Sequence, residues 1–470
     1  MTIDVLPPEL LRQIFDSCDG AAPSNDRLNH QPDSDMLRDP NCPLKCISLV
    51  SRRWRAIALP LLFRHVVWTL ERCDQLVAKP GESEHSDPLN NIPILVFLST
   101  NGLARHVNSF TMIVSHSLDS MVKSLPRKQA RSDSPFLEAQ AHESSMASSA
   151  TVYNEDNNWL WHMLFSLVDP LRLTIIASPQ TLARLLSCMV FVGDADFSSG
   201  ERLHILSLSR TSRSNNAPGQ LSDPKASSQA TLPTARSCPG EQKRARTALF
   251  TIRPWTHLLL NENSSIQVYR SYHYFDRVPP SVLSSLLGWE EAPFNVIMIP
   301  PTVTSISYIA IFPLMTQFSM LVYHLPRIEH LHLQLVPRND ILLDKQEMAH
   351  VQASDLWLER NSCYELVMRH LLSKRHPVTS DDSHDVDGDD DDADSDHHDE
   401  DDMTNQRPRP RNHWLFLRKF ETGDFADLEA WENAVQLVQM SQTGWRVERE
   451  GIFVKEPVST GVPDVGNMNP

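Results

Sequence analysis

The stretch LPPELLRQIF, residues 6–15, decides the fold of the first part of the chain. Pro7 and Pro8 are tolerated in the first turn of a helix, where backbone N–H groups have no intrahelical partner. Five apolar residues then recur at helical spacing and form one stripe: Leu10, Leu11, Ile14, Phe15 and Cys18. The pattern predicts a short helix that packs this stripe against neighbouring helices or onto a partner.

A second amphipathic stretch, CISLVSRRWRAIA, occupies residues 46–58. Ser51 divides it into two predicted helices, with basic residues opposite the apolar stripe. Short helices are marginally stable alone, and a unit of about 60 residues lies near the lower limit for independent folding. We therefore expect this unit to pack on a partner. The alternative is that these helices are the first core helices of a larger domain.

Both stretches resemble an F-box, and the continuation through residues 60–66 is typical of F-box proteins from filamentous fungi. The resemblance implies a three-helix domain over residues 1–68 that docks on the Skp subunit of a cullin-RING ubiquitin ligase, while the rest of the chain binds a target. The residues that it implies to hold or shape the Skp-facing helices are Leu6, Pro7, Leu10, Leu11, Ile14, Leu49, Val50 and Trp54.

One departure from that family lies between the two stretches. F-box proteins join their first two helices by a few residues, whereas residues 19–41 form a longer segment of Gly, Pro, Asn, Asp and Ser. Loop closure entropy grows only logarithmically with length, so the insertion costs little stability. We predict that it is disordered and that it can overhang the surface that meets Skp.

Short apolar strands alternate with helices across residues 90–375. Strand patterns occur at 107–114, 171–175, 203–208, 308–311 and 325–335. Their spacing of about 24 to 32 residues favours an irregular leucine-rich-repeat-like array. A compact α/β domain with ordinary core strands is the alternative. In the repeat interpretation the concave strand face would bind the target, although the pattern singles out no residue on that face.

Four segments lack any core-forming pattern and are predicted to be disordered: 124–149, 209–247, 376–412 and 457–470. The net charge of −16 comes largely from one of them, because 14 Asp or Glu residues and no Lys or Arg lie between Asp381 and Asp402. The acidic run favours a solubilising insert. The alternative is an electrostatic site for basic partners such as histones or the basic residues at 407–411.

The C-terminal part, residues 413–456, is predicted to be a helix followed by a hairpin. One stripe of the helix carries Leu428, Trp431, Val435 and Val438, and Gly444 is expected to end it. The hairpin turns at Gly451. This part is also similar to the C-terminal ends of fungal F-box proteins, and we expect it to cap the array with Trp431, Trp445 and Phe453 in the core.

We expect no catalytic site, cofactor or metal. The chain has no glycine-rich phosphate loop, Gly-x-Ser-x-Gly elbow or His-Glu-x-x-His pair. Cys42 and Cys46, with His30 nearby, depart from common zinc spacings, and a packed thiol at Cys46 is favoured. No basic stripe with interleaved aromatic residues predicts nucleic-acid binding, and no long apolar run predicts a membrane span. Seven scattered cysteines favour the cytoplasm and/or nucleus.

The sequence therefore predicts an α+β or α/β protein with an N-terminal F-box and a leucine-rich-repeat-like array. Its predicted function is that of a non-catalytic adaptor in an SCF-type ubiquitin ligase, with Skp, a cullin and an unidentified target protein as partners. Two alternatives remain. One is an F-box-fold scaffold that works outside a ligase, and the other is an enzyme with an unrecognised site in the middle region.

Overall fold

The computed structural model describes residues 5–19, 22, 25, 27–32, 42–70, 92–114, 150–152, 158–191, 202–213, 247–277, 279–288, 297–338, 340–373 and 413–456. The predicted disordered segments 124–149, 376–412 and 457–470 lie outside these residues. Of the segment predicted over 209–247, residues 209–213 and 247 are described. Arg213 donates hydrogen bonds to the carbonyl oxygens of Arg105 and Val107, each at 2.8 Å, so this end of the segment is attached to the fold.

Three short helices form the N-terminal unit: α1 Pro8–Ser17, α2 Pro43–Val50 and α3 Arg52–Leu62. They share a small apolar cluster whose buried members are Leu11, Phe15, Leu44, Ala58 and Leu61. The predicted break at Ser51 is confirmed. Its backbone is extended, and its side-chain oxygen caps α3 by accepting a hydrogen bond from the Trp54 N–H at 3.2 Å.

Ten strands form one sheet whose order follows the chain except at the final hairpin. The strands, in spatial order, are β1 His65–Leu70, β2 Ser109–Val114, β4 Arg172–Ala177, β6 His204–Ser209, β7 His257–Ser264, β8 Ser305–Ile311, β9 His330–Gln334, β10 Lys419–Thr422, β12 Ile452–Lys455 and β11 Trp445–Arg449. Most neighbours are parallel, but β6 runs antiparallel to β4 and β7, and the last three strands pair antiparallel. A separate pair joins β3 Ala150–Val152 to β5 Met189–Phe191.

Helices cover one face of the sheet. They are α4 Pro93–Thr100, α5 Asn158–Leu167, α6 Pro179–Leu186, α7 Ala248–Thr251, α8 Leu283–Leu287, α9 Met315–Tyr323, α10 Ala353–Leu371 and α11 Leu428–Ser441. All eight contribute side chains to one apolar cluster with alternate strand residues such as Phe110, Ile175, Leu260 and Leu333. The chain is thus a mixed α/β protein, as the sequence predicts.

The opposite face of the sheet carries a second apolar cluster. Its strand members point away from the helices and include Ile176, Ile205, Leu259 and Ile309. The 3-10 turns Ile266–Arg270 and Asp340–Leu343 and the start of α10 contribute further side chains. Both faces are therefore partly covered, which explains why strands such as SFTMIV at 109–114 and RLTIIA at 172–177 carry buried apolar residues on both faces.

All five strand patterns overlap observed strands, and the predicted C-terminal helix and hairpin are present. Two details of the helix prediction are wrong. Leu428 is exposed rather than on the buried stripe, and α11 ends at Ser441, followed by Gln442 as the C-cap residue with a left-handed backbone at φ 52°. Gly444 also has positive φ, but it lies in the turn that leads into β11. Trp445 and Phe453 are buried and Trp431 packs on the core, as expected.

Candidate partner-binding surfaces

The N-terminal unit exposes large apolar side chains on two of its three helices. Leu10 and Ile14 of α1 are 45% and 40% exposed, and Leu49 and Val50 of α2 are 77% and 60% exposed. Leu10 and Ile14 are four residues apart and so lie on one side of α1. We call Leu10, Ile14, Leu49 and Val50 the helical apolar surface.

A hydrogen bond relates the two parts of this surface. Arg53, at the start of α3, donates to the carbonyl oxygen of Leu6, just before α1. This contact places the beginning of α1 beside the α2–α3 junction that carries Leu49 and Val50. Singly exposed leucines are common in proteins, whereas contiguous apolar patches indicate a binding function, so these four side chains are the candidate residues of a docking surface.

The eight residues predicted to serve this surface occupy three environments. Pro7 and the four residues of the helical apolar surface are exposed. Leu11 is fully buried, and Leu6 and Trp54 pack against the core of the unit. The five residues of the predicted apolar stripe of α1 occupy two environments. Leu11 and Phe15 face the core of the unit, whereas Leu10, Ile14 and Cys18 are exposed. The reason is that the apolar pattern covers two adjacent sides of α1.

An ion-pair cluster attaches the N-terminal unit to the sheet. Arg64, immediately before β1, lies 2.6 Å from Asp16 and 3.2 Å from Asp19 at the end of α1. The carbonyl oxygen of Arg64 also accepts hydrogen bonds from the backbone of Asn108 and Ser109 beside β2. The helices are therefore fixed to the first edge of the sheet.

A second candidate surface is a row of polar side chains that crosses the sheet on the face opposite the helices. Strand register aligns the row: His65, Ser109, Arg172, Ser209, His257, Ser305, His330 and Lys419. Hydrogen bonds join several members. His65 Nδ1 lies 2.9 Å from Ser109 Oγ, and Ser305 Oγ lies 2.9 Å from His257 Nδ1 and 3.1 Å from His330 Nδ1.

The charge of this polar row is set by burial. Burial and nearby positive groups lower the pKa of His257 to about 4. Burial, and to a smaller extent the positive charge of Arg64, lower the pKa of His65. Both imidazoles are therefore neutral near pH 7. Other members of the row carry or contact charged groups: Arg172 has a guanidinium, and the Glu421 carboxylate lies 3.1 Å from Lys419 Nζ and 3.5 Å from His330 Nε2. The row thus presents hydrogen-bonding groups with a local excess of positive charge at Arg172.

A buried carboxyl group on the helix side is the strongest alternative site of chemistry. Glu262 accepts hydrogen bonds from Tyr308 at 2.5 Å, from Gln317 at 2.9 Å and from Ser281. Burial raises its pKa to about 7. The three donors are themselves buried, so the group is enclosed by protein contacts. The arrangement cross-links β7, β8 and α9.

The described residues contain no cluster of three or more His, Cys, Asp or Glu side chains that could hold a metal. Cys42 is partly buried, but Cys46 is exposed, so the expectation of a packed thiol at Cys46 is wrong. Cys46 lies on the side of α2 away from the small core, since Leu44 and Ser48 are the buried residues of that helix. Among the helices that the structure describes, none is long and apolar enough to cross a membrane.

The residues of the polar row were not identifiable one by one from sequence. A signal is nevertheless present in the strands themselves. In β9 and the first part of β8 polar residues alternate with apolar ones, as in HLHLQ at 330–334 and SIS at 305–307. Because strand side chains alternate between faces, such positions define a polar face once the apolar face is assigned to the helices.

No protein-family model, curated protein or solved structure matches this chain. Its function is therefore inferred from its own residues and geometry.

Proposed function

We propose that this protein is a non-catalytic substrate-recognition subunit of an SCF-type cullin-RING ubiquitin ligase in the cytoplasm and/or nucleus. The N-terminal unit would be an F-box that binds a Skp-type adaptor and, through it, a cullin. The observation that carries the proposal is the helical apolar surface on a small three-helix unit whose sequence resembles an F-box.

The energetics of the surface support a stable protein partner. Burying a fully exposed Leu, Ile or Val stabilises a complex by roughly 1.5–3 kcal/mol. The four side chains of this surface are 40% to 77% exposed, so each can contribute a corresponding fraction of that free energy. Three exposed basic residues lie close in sequence to Leu49 and Val50: Lys45 on α2, and Arg52 and Arg55 at the start of α3. An acidic rim around an apolar partner surface would complement them, which favours specific association.

The sheet provides the proposed target-binding part. Its strands follow one another in chain order and are mostly parallel, which supports an irregular leucine-rich-repeat-like array. The polar row lies on the face opposite the helices, where such arrays bind partners. Holding a target there would increase its effective concentration near the ubiquitin-charged enzyme, so that the ligase acts by proximity.

A co-purification experiment tests the ligase proposal. The full chain is expressed with a Skp-type subunit and a cullin, beside a Leu10→Asp/Ile14→Asp variant. Both positions are exposed, so the variant is expected to fold while the apolar contact is lost. Leu437→Asp is the matched control, because Leu437 is a helical leucine with 46% exposure on α11.

We expect the parent and the Leu437→Asp control to recover Skp and the double variant to lose it. A folded parent that recovers no Skp would contradict the ligase proposal and would leave an interaction scaffold with an F-box fold.

A further inference from the structure

Part of the insertion between α1 and α2 lies on the face of the sheet opposite the helices. The side-chain amide of Asn261 in β7 donates hydrogen bonds to the carbonyl oxygens of Leu28 and His30, both at 2.8 Å. The amide of Gln334 in β9 donates to the carbonyl oxygen of Asn29 at 3.1 Å. Two strand side chains thus bind three successive backbone carbonyl groups.

The strand residues are held in the orientation that makes these contacts. Asn261 Oδ1 accepts a hydrogen bond at 3.0 Å from the backbone N–H of Asn263, so Asn261 Nδ2 is the atom directed at the insertion. Asn263 has a left-handed backbone with φ 68°, at the point where the register of β7 with β8 shifts. Asn261 and Gln334 are both buried. In the strand register they lie beside isoleucines, with Ile205 and Ile309 on either side of Asn261 and Ile309 next to Gln334.

The bound segment is a compact turn rather than an extended strand. Residues 25 and 27 are helical, and the His30 N–H donates to the Arg27 carbonyl oxygen at 3.0 Å. The last carbonyl groups of a helical turn have no intrahelical donors and carry partial negative charge. The amides of Asn261 and Gln334 supply the missing donors.

Two side chains of the segment add specific contacts. Leu28 is buried and belongs to the apolar cluster on this face, with Ile176, Ile205 and Leu259. The Asn25 side-chain oxygen accepts a hydrogen bond from Arg172 in the polar row. Residues three apart on a helical turn lie on the same side, so residue 25 and residue 28 contact the sheet together.

We propose that this face is a binding site for a short helical turn of a target protein, and that residues 25 and 27–30 occupy it as an intramolecular ligand. The favoured target turn carries an acidic residue, then two variable positions, then a leucine, and ends in free backbone carbonyl groups. The acidic residue follows from Arg172, which Asn25 contacts with a neutral amide. A carboxylate there would form a stronger, charge-assisted hydrogen bond. Identifying the ligand as a ligase target rests on the proposed function.

The covalent link between the insertion and the site has a regulatory consequence. An intramolecular ligand competes at an effective concentration that is in the millimolar range for short flexible connections. A target binds with an apparent affinity reduced by the fraction of molecules whose site is free. The insertion would therefore restrict binding to targets with better contacts than its own.

A peptide-binding experiment tests the site without requiring Skp. A full-length variant replaces residues 27–30 with Gly-Ser-Gly-Ser, and a fluorescent peptide with the sequence of residues 22–32 is the probe. We expect the variant to bind the peptide at least about 10-fold more tightly than the parent does. A peptide with Asn25→Asp should bind several-fold more tightly, and a peptide with Leu28→Asp should not bind. Both substitutions are made in the probe peptide, so the folding of the protein is the same in each measurement.

Two further variants complete the design. Asn261→Asp retains the acceptor for Asn263 but removes the donor, and it should abolish peptide binding in the replaced background. If the four-residue replacement does not fold, a single Leu28→Ala substitution in the chain should still increase peptide binding. A folded variant of either kind that binds the peptide no better than the parent would overturn the proposal. Skp recovery from the same preparations tests the proposed function separately.

Discussion

The rings of Phe15 and Trp54 lie 5.2 Å apart between centroids, inclined at 54°, and they join α1 to α3. Phe15 is buried, and the small cluster around it has only five buried members. A cluster of this size has few side chains that could compensate for the loss of one. The helical apolar surface therefore depends on this contact for its shape.

Replacing Phe15 with Ala is expected to destabilise the N-terminal unit by roughly 3–5 kcal/mol, because it removes a buried aromatic ring and leaves a cavity. Hydrogen–deuterium exchange should then show loss of protection in α1, α2 and α3, with protection retained in β7 to β9. The control is Ile14→Ala at an exposed position on the same helix, which should retain protection. Equal protection in both variants would contradict the packing described.

Gly451 is required at the turn between β11 and β12. It has φ 75°, and an added Cβ would lie 2.8 Å from the Thr422 carbonyl oxygen and from a ring carbon of Phe425. Gly451→Ala should therefore cost more than the roughly 1 kcal/mol of left-handed strain alone. Gly102→Ala is the control, because Gly102 has φ 62° but no atom within 4 Å of its added Cβ. Chemical denaturation should show the larger loss at Gly451.

Glu262 makes a contribution to stability that decreases as the pH rises. Its pKa is about 7 in the folded protein against 4.5 for an exposed glutamate, so between these values the native state holds a proton that the unfolded chain has lost. The resulting loss is roughly 3 kcal/mol between about pH 4.5 and pH 7. The difference in unfolding free energy between the parent and Glu262→Gln, measured by denaturation across this range, should fall accordingly. A flat difference would show that the carboxyl group is already ionised when folded.

His332 acts in the opposite direction. Burial lowers its pKa from 6.5 to about 4, an effect that the Glu421 carboxylate opposes and that nearby positive groups such as Arg338 reinforce. Within the described part of the chain, its Nδ1 has no hydrogen-bond partner. Between these values the unfolded chain binds a proton that the native state does not, so stability is lost as the pH falls from about 6.5 to about 4. His332→Asn should lack this part of the acid sensitivity. The unfolding free energy of both proteins is measured by the same denaturation series. An equal loss of stability between about pH 6.5 and pH 4 in the variant would contradict the lowered pKa of His332.

Periodicity predicted much of the fold. Strands such as 172–177 and 330–334 and the break at Ser51 follow from local patterns, because burial imposes a period of two or of 3.6 on the sequence. The division of α1 into a buried side at Leu11 and an exposed side at Leu10 could not be predicted from these local patterns. An apolar pattern does not show which residues are buried within the chain itself and which stay exposed for contact with a partner.

The contacts of the insertion could not be predicted for a different reason. Asn261 and Gln334 are separated from Leu28 by more than 200 residues, and their amides recognise backbone carbonyl groups, which every residue has. The polarity of residues 19–41 indicated a loop, whereas one buried leucine and three satisfied carbonyl groups attach part of it to the sheet. Such pairing depends on topology and has no local sequence signal.

The most direct test of the central claim is a calorimetric titration of purified Skp-type subunit into the full-length protein. We predict saturable one-to-one binding that weakens by at least about 10-fold in Leu10→Asp/Ile14→Asp, since burying the exposed 45% and 40% of these two side chains contributes roughly 1–3 kcal/mol. Leu437→Asp should bind as the parent does. Absence of binding by a folded parent, or equal binding by the double variant, would contradict the claim that the helical apolar surface is the site of Skp docking.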